Sequence, residues 1–243
     1  MPSYNVGMLL AAALALALVP GLPSPREAGL GRGLAADAPP PPSGEIVEEV
    51  VAVIRNPPSA PARIVTYTKL VEEARIALVS HGATEAASGP LDRAALRAAL
   101  EWLLDQTLVA DEATKLRLDE VDREALRTEL RRFQARFPSY GAYERFLERA
   151  ELTEEELLAT LARMLRVERY VQSRVGQAAR VGDDEVDRWL RKAGTASGSA
   201  AVRDVVRSDI AAERATSQVR DLLADLRTRA DIRVVGRLGA KGP

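Results

Sequence analysis

The sequence predicts a mainly α protein, a bundle of five or six helices with a small sheet of short strands from both chain ends. Three observations lead there. Aromatic residues make up only 4% of the chain against 28% charged residues, a balance of leucine, alanine and ion pairs that suits helices better than a sheet sandwich. Beyond residue 90, apolar residues recur at three- and four-residue steps, which is the period of an amphipathic helix. The β-branched runs are short and lie near the two ends of the folded region, and strands that short are stable only when paired.

With 243 residues, 47% of them hydrophobic, the chain can build one substantial core or two small ones. Lys and Arg total 34 against 35 Asp and Glu, so there is no basic excess to hold a phosphate backbone, and nucleic acid is not expected as a partner. The chain has no cysteine, which excludes disulfides, thiol nucleophiles and zinc thiolate sites. Packing alone must then stabilise the folded region.

Residues 8–19 read MLLAAALALALV and are stopped by Pro20 and Gly21. Twelve apolar residues are too few for a membrane-spanning helix, which needs about 20, and match the hydrophobic region of a secretory signal peptide. No Lys or Arg precedes the run, so its positive flank is the terminal amine alone. The expected organisation is a signal peptide over 1–21 and a Pro/Gly/Ala-rich tether over 22–45 that holds four consecutive prolines, Pro39 to Pro42. The cleavage position is open between Gly21 and the A-x-A pattern of Ala36, Asp37 and Ala38. Export leaves a protein with no membrane span after signal cleavage.

Along the rest of the chain, a strand is expected from near Glu48 through Ile54, a proline loop at Pro57, Pro58 and Pro61, and a second strand over 64–67. Thr68 is the expected N-cap of a helix over 69–79. A loop over 80–90 leads to a long helix over 91–113, with Leu96, Leu100, Leu103, Leu104 and Leu108 on one face. Asp122 caps a helix whose apolar positions are Leu126, Leu130, Phe133 and Phe137, ended by Pro138. Ser139 caps a short helix with Tyr140, Tyr143, Phe146 and Leu147. Thr153 and Glu156 form the T-x-x-E capping box of a helix reaching Val175, with Leu157, Leu161, Met164, Leu165 and Val171 inward. A short helix over 184–192 packs through Val186, Trp189 and Leu190, and GTASGS over 194–199 reads as a flexible linker. The last helix, over about 200–230, leads to a β-prone run at 232–235. That run needs a partner for its backbone groups and should join the first two strands. The last helix must then cross the N-terminal helices, burying Val206, Ile210, Val219, Leu222, Leu223 and Leu226 against them.

Catalytic constellations are not found. The single histidine, His81, lies in a Ser/Gly loop with no second His or Cys to share a metal or proton; a solvated position is expected. Asp183/Asp184 and Glu154/Glu155 stand at helix starts, where negative charge complements the helix dipole. The glycines of 29–33 lack the flanking strand and helix of a phosphate loop. The Arg-rich stretch 127–140 reads as a solvated helix face. Phe133, Phe137, Tyr140, Tyr143 and Phe146 have the spacing of core residues, with the alternative that part of the group lines a client-binding groove. No enzyme, cofactor or metal is expected.

The order of elements resembles a known family. VVAVIRN (50–56), IVTYTKLVEEA (64–74), a long Leu helix, LTEEELLATLARMLRVERYVQSRV (152–175) and GDDEVDRWL (182–190) follow one another as in the N-terminal chaperone region of SurA-type periplasmic folding factors. The resemblance covers about 48–192 and rests on order and spacing, because each motif alone is built of common residue types. It implies a SurA-like chaperone region over 46–193, completed by a C-terminal helix and strand over 200–236. In that family parvulin-type prolyl isomerase domains interrupt these two parts; here the linker 194–199 stands in their place. The resemblance thus implies a periplasmic holdase for unfolded or partly folded polypeptides, such as outer-membrane proteins in transit, without isomerase activity. The competing reading is a non-catalytic helical adaptor of the envelope with one fixed partner.

Overall fold

The computed structural model describes residues 48–116, 121–176, 180–194 and 199–239. The expected signal peptide and tether, and most of the expected linker, lie outside them.

Strands β1 (Val50–Arg55) and β2 (Arg63–Thr66) are followed by helices α1 (Tyr67–Ser80), α2 (Thr84–Ser88), α3 (Arg93–Lys115), α4 (Arg123–Gln134) and α5 (Tyr140–Arg149). Then come α6 (Glu154–Val175), α7 (Asp183–Lys192), α8 (Ala200–Arg229), strand β3 (Asp231–Val234) and the short α9 (Gly236–Gly239). The fold is mainly helical with one small antiparallel sheet. Among the described residues seven helices have ten residues or more, against the five or six expected. The extra short helix α2 lies inside the segment expected to be a loop.

The sheet order is β2-β1-β3. β1 pairs with β2 through Val53 and Ile64, and with β3 through Val53 and Arg233. The C-terminal strand thus joins the N-terminal hairpin, as its lack of a local partner requires. A second tie closes the ends: the Arg237 backbone N–H donates to Glu49 Oε1 (3.1 Å), and Arg237 Nε lies 2.6 Å from Glu49 Oε2. Gly236 makes the turn possible. Its φ is +63°, and a Cβ there would lie 3.2 Å from the Val50 carbonyl oxygen.

Helix starts follow capping chemistry. Asp92, Asp122, Ser139 and Ser199 each accept a backbone N–H of the first turn, and Thr153 with Glu156 completes a capping box. One expected cap is corrected: Thr66, not Thr68, caps α1, accepting from Lys69 N at 3.3 Å. The Tyr67 N–H donates to Glu49 O at 2.7 Å, so the strand gives way to the helix directly at Thr66.

The main core gathers Val51 and Ile54 of β1, Leu70, Ala74 and Ala77 of α1, Val167, Tyr170 and Val171 of α6, and Val219 and Leu226 of α8 around α3. Twelve of the 23 residues of α3 are buried, so it is the central helix. A second cluster joins α1 to α4, α5 and α6. The third is small: Val186 and Leu190 of α7 against Val206 and Ile210 of α8. This corrects the expected packing of α8. Only its second half lies on the N-terminal helices, while Val206 and Ile210 cover α7. Trp189 is also corrected, being 45% exposed rather than on the packing face. The buried contact of α7 with α8 is made by Val186 and Leu190, one turn apart.

Candidate functional site

The five aromatic residues singled out from the sequence separate into two environments. Phe133, Phe137, Tyr143 and Phe146 are buried in the second core cluster, with ring centroids 5.2 to 6.5 Å apart for the pairs that meet. These tilted and edge-on geometries are those of core packing. Tyr140 is 62% exposed, with its ring centroid 5.7 Å from that of Tyr143 in a tilted pair. Of the expected client-binding group, then, Tyr140 alone is open to a ligand, and the other four hold α4 and α5 together.

Two other surfaces have the features of binding sites. The first is a cleft of about 870 Å³ bounded by residues 56–63 of the proline loop and by α1, α3 and α6. Beside it Glu73 of α1 is fully buried. Thr160 Oγ1 donates to Glu73 Oε1 at 3.1 Å, Arg163 reaches both carboxylate oxygens, and Lys69 Nζ lies 3.5 Å away. A bidentate guanidinium with a hydroxyl donor satisfies a buried carboxylate, so Glu73 ties α1 to α6 and is not a free acid or base. Arg63, Lys69, Lys115 and Arg166 also line the cleft, with Asp111 as the second carboxylate. Arg63 pairs with Asp111 at 2.8 Å, Lys69 with Glu72 at 3.1 Å and Lys115 with Glu112 at 3.3 Å. Asn56 Nδ2 and Arg163 Nε, both donors, are buried in its wall without a partner.

The second region lies on α7 and the first half of α8. Arg203 pairs with Asp187, Arg207 with Asp183 and Arg214 with Glu185, and these pairs flank the small apolar contact of the two helices. Three large apolar side chains are left exposed there: Trp189 at 45%, Val202 at 43% and Val205 at 60%.

Glu73 and Arg163 were missed in the sequence, although a signal exists. Glu73 falls on the stripe of Leu70, Ala74 and Ala77, and Thr160 on that of Leu157 and Leu161. A charge on an apolar stripe marks a buried pair. His81 is half-buried beside the end of α1 rather than solvated. Burial, and then the Arg136 charge, lower its pKa below the usual 6.5. No group of three or more metal-ligating side chains is present among the described residues, and none of their helices is long and apolar enough to cross a membrane. No family model matches the chain, and no curated protein or solved structure is significantly similar to it.

Proposed function

We propose that the chain is an exported, periplasmic holdase of SurA-like type, binding unfolded envelope or outer-membrane polypeptides without prolyl isomerase activity. The observation that supports this reading best is the exposure of Trp189, Val202 and Val205 on α7 and α8. Where large exposed apolar side chains form one patch, the patch marks an interaction site, and the two helix segments that carry these three pack against each other. A shallow surface of this kind suits many sequences and easy release, as a holdase requires. Tyr140, at 62% exposure, is a further contact point from the aromatic group. The absence of isomerase activity is supported by the linker 194–199, too short to contain a parvulin sheet.

Affinity capture from a periplasmic extract tests the reading against the adaptor alternative. The holdase should capture many envelope polypeptides in non-native form and leave the cis/trans rate of a proline test peptide unchanged. A single partner recovered at fixed stoichiometry would favour the adaptor and overturn the proposal.

A further inference from the structure

We infer that α7 is a displaceable cover on the first half of α8, standing where an acidic amphipathic segment of a bound polypeptide docks. That the incoming segment belongs to another polypeptide rests on the binding reading above, while the weakness of the cover rests on α7 and α8 alone.

The two helices meet as an antiparallel zipper. Asp183 and Asp187, one turn apart, pair with Arg207 and Arg203, also one turn apart, and Glu185 pairs with Arg214. Between these pairs Val186 and Leu190 are buried against Val206 and Ile210. This face of α8 therefore fits a segment with acids at positions i and i+4 and apolar side chains at i+3 and i+7, the pattern of Asp183, Asp187, Val186 and Leu190. When α7 leaves, Arg203 and Arg214 lose the carboxylates that α7 supplies, while Arg207 keeps Asp204 of its own helix at 2.6 Å. The vacated face then complements an incoming segment of α7's chemistry in both charge and apolar contact.

Several features make α7 easy to release. Its buried apolar contact consists of four side chains, and no residue of a third helix joins that cluster among the described residues, whereas the second half of α8 lies in the main core. Its ten residues are too few to stay helical in water without that contact, since isolated helices shorter than about 12–15 residues are marginal. Among the described helices of ten residues or more, α7 alone starts without a side chain accepting a first-turn N–H: Gly182 stands at its N-cap, where the others have Thr, Asp or Ser. Asp183 and Asp187 are 74% and 41% exposed, and ion pairs so open to water are weak. Low local stability is what a binding element requires, and a segment can replace α7 without disturbing the main core. Val202, 43% exposed, continues the line of Val206 and Ile210 by one turn, so a longer segment gains a contact that α7 leaves open.

Fluorescence anisotropy of the full chain with a labelled, N-acetylated and amidated peptide of residues 182–192 tests this. The peptide should bind the wild type weakly, because α7 must first be displaced, and about tenfold more tightly when Val186→Ala/Leu190→Ala in the chain loosens the cover. Asp183→Asn/Asp187→Asn, on exposed side chains, should act in the same direction, and both variants should keep the main thermal transition. The charge-reversed Asp183→Lys/Asp187→Lys peptide should bind these chains poorly and regain affinity for a chain carrying Arg203→Glu/Arg207→Glu. Affinity that neither loosening variant raises, or equal binding of the two peptides by every chain, would overturn the inference. Failure of the holdase reading looks different: client aggregation would proceed unhindered while the peptide still bound by displacement.

Discussion

Removing the Leu226 side chain tests how the C-terminal helix belongs to the core. Leu226 is 1% exposed and packs in the main cluster, which also holds Val219 of α8 together with α3 and α6 residues. Truncation to alanine in such a site costs ~2–5 kcal/mol. For a chain of this size each kcal/mol lowers the melting temperature by about 2–4 °C, so a loss of about 3 kcal/mol lowers it by roughly 6–12 °C. Val205 is on the same helix but 60% exposed, and Val205→Ala should change stability by no more than ~0.5 kcal/mol. Thermal unfolding followed by far-UV circular dichroism compares the two variants directly. Similar small shifts for Leu226→Ala and Val205→Ala would refute the assignment of the second half of α8 to the shared core. In that case deletion of the C-terminal helix would be expected to leave a stable bundle.

Three further outcomes follow from named contacts. Glu73→Ala should destabilise by ~3–5 kcal/mol because it strands Arg163 in a poorly solvated site, and Glu73→Leu/Arg163→Met should recover most of that loss in chemical denaturation. The lowered pKa of His81 means that the unfolded chain binds its proton first, so this residue's contribution to stability falls as pH drops below 6.5. The wild type should therefore lose more stability on acidification than His81→Gln, as urea titrations at successive pH values would measure. Burial pushes the Tyr143 phenol from 10.0 up to about 12, so the unfolded chain ionises first in alkali and stability is lost between those values. Tyr143→Phe should lack that share of the alkaline loss in the same titrations.

Much of the fold was legible because its signals are local. Asp122, Ser139 and the Thr153/Glu156 box mark helix starts by hydrogen bonds within one turn, and the strand after α8 had to find β1 because nothing nearby could pair with it. What failed depended on which neighbour covers which face. Val206 and Ile210 repeat at a helical step like Val219 and Leu226, yet they cover α7 and not the main core. Periodicity states that a face is buried without saying against what. Trp189 was assigned inward with Val186 and Leu190 as one packing face, but among the described residues only Val186 and Leu190 of α7 are buried, against Val206 and Ile210. The cleft was hidden for a similar reason: Glu73 and Arg163 are 90 residues apart, and only the packing of α1 on α6 brings them together.

The central claim, binding of unfolded polypeptides through the exposed apolar surface, is tested most directly by light scattering of an unfolded β-barrel client diluted from denaturant. The wild-type protein should slow its aggregation in proportion to concentration, and Val202→Asp/Val205→Asp, with an unchanged melting temperature, should lose most of that effect. Aggregation that proceeds at the same rate with and without the wild-type protein would contradict the account.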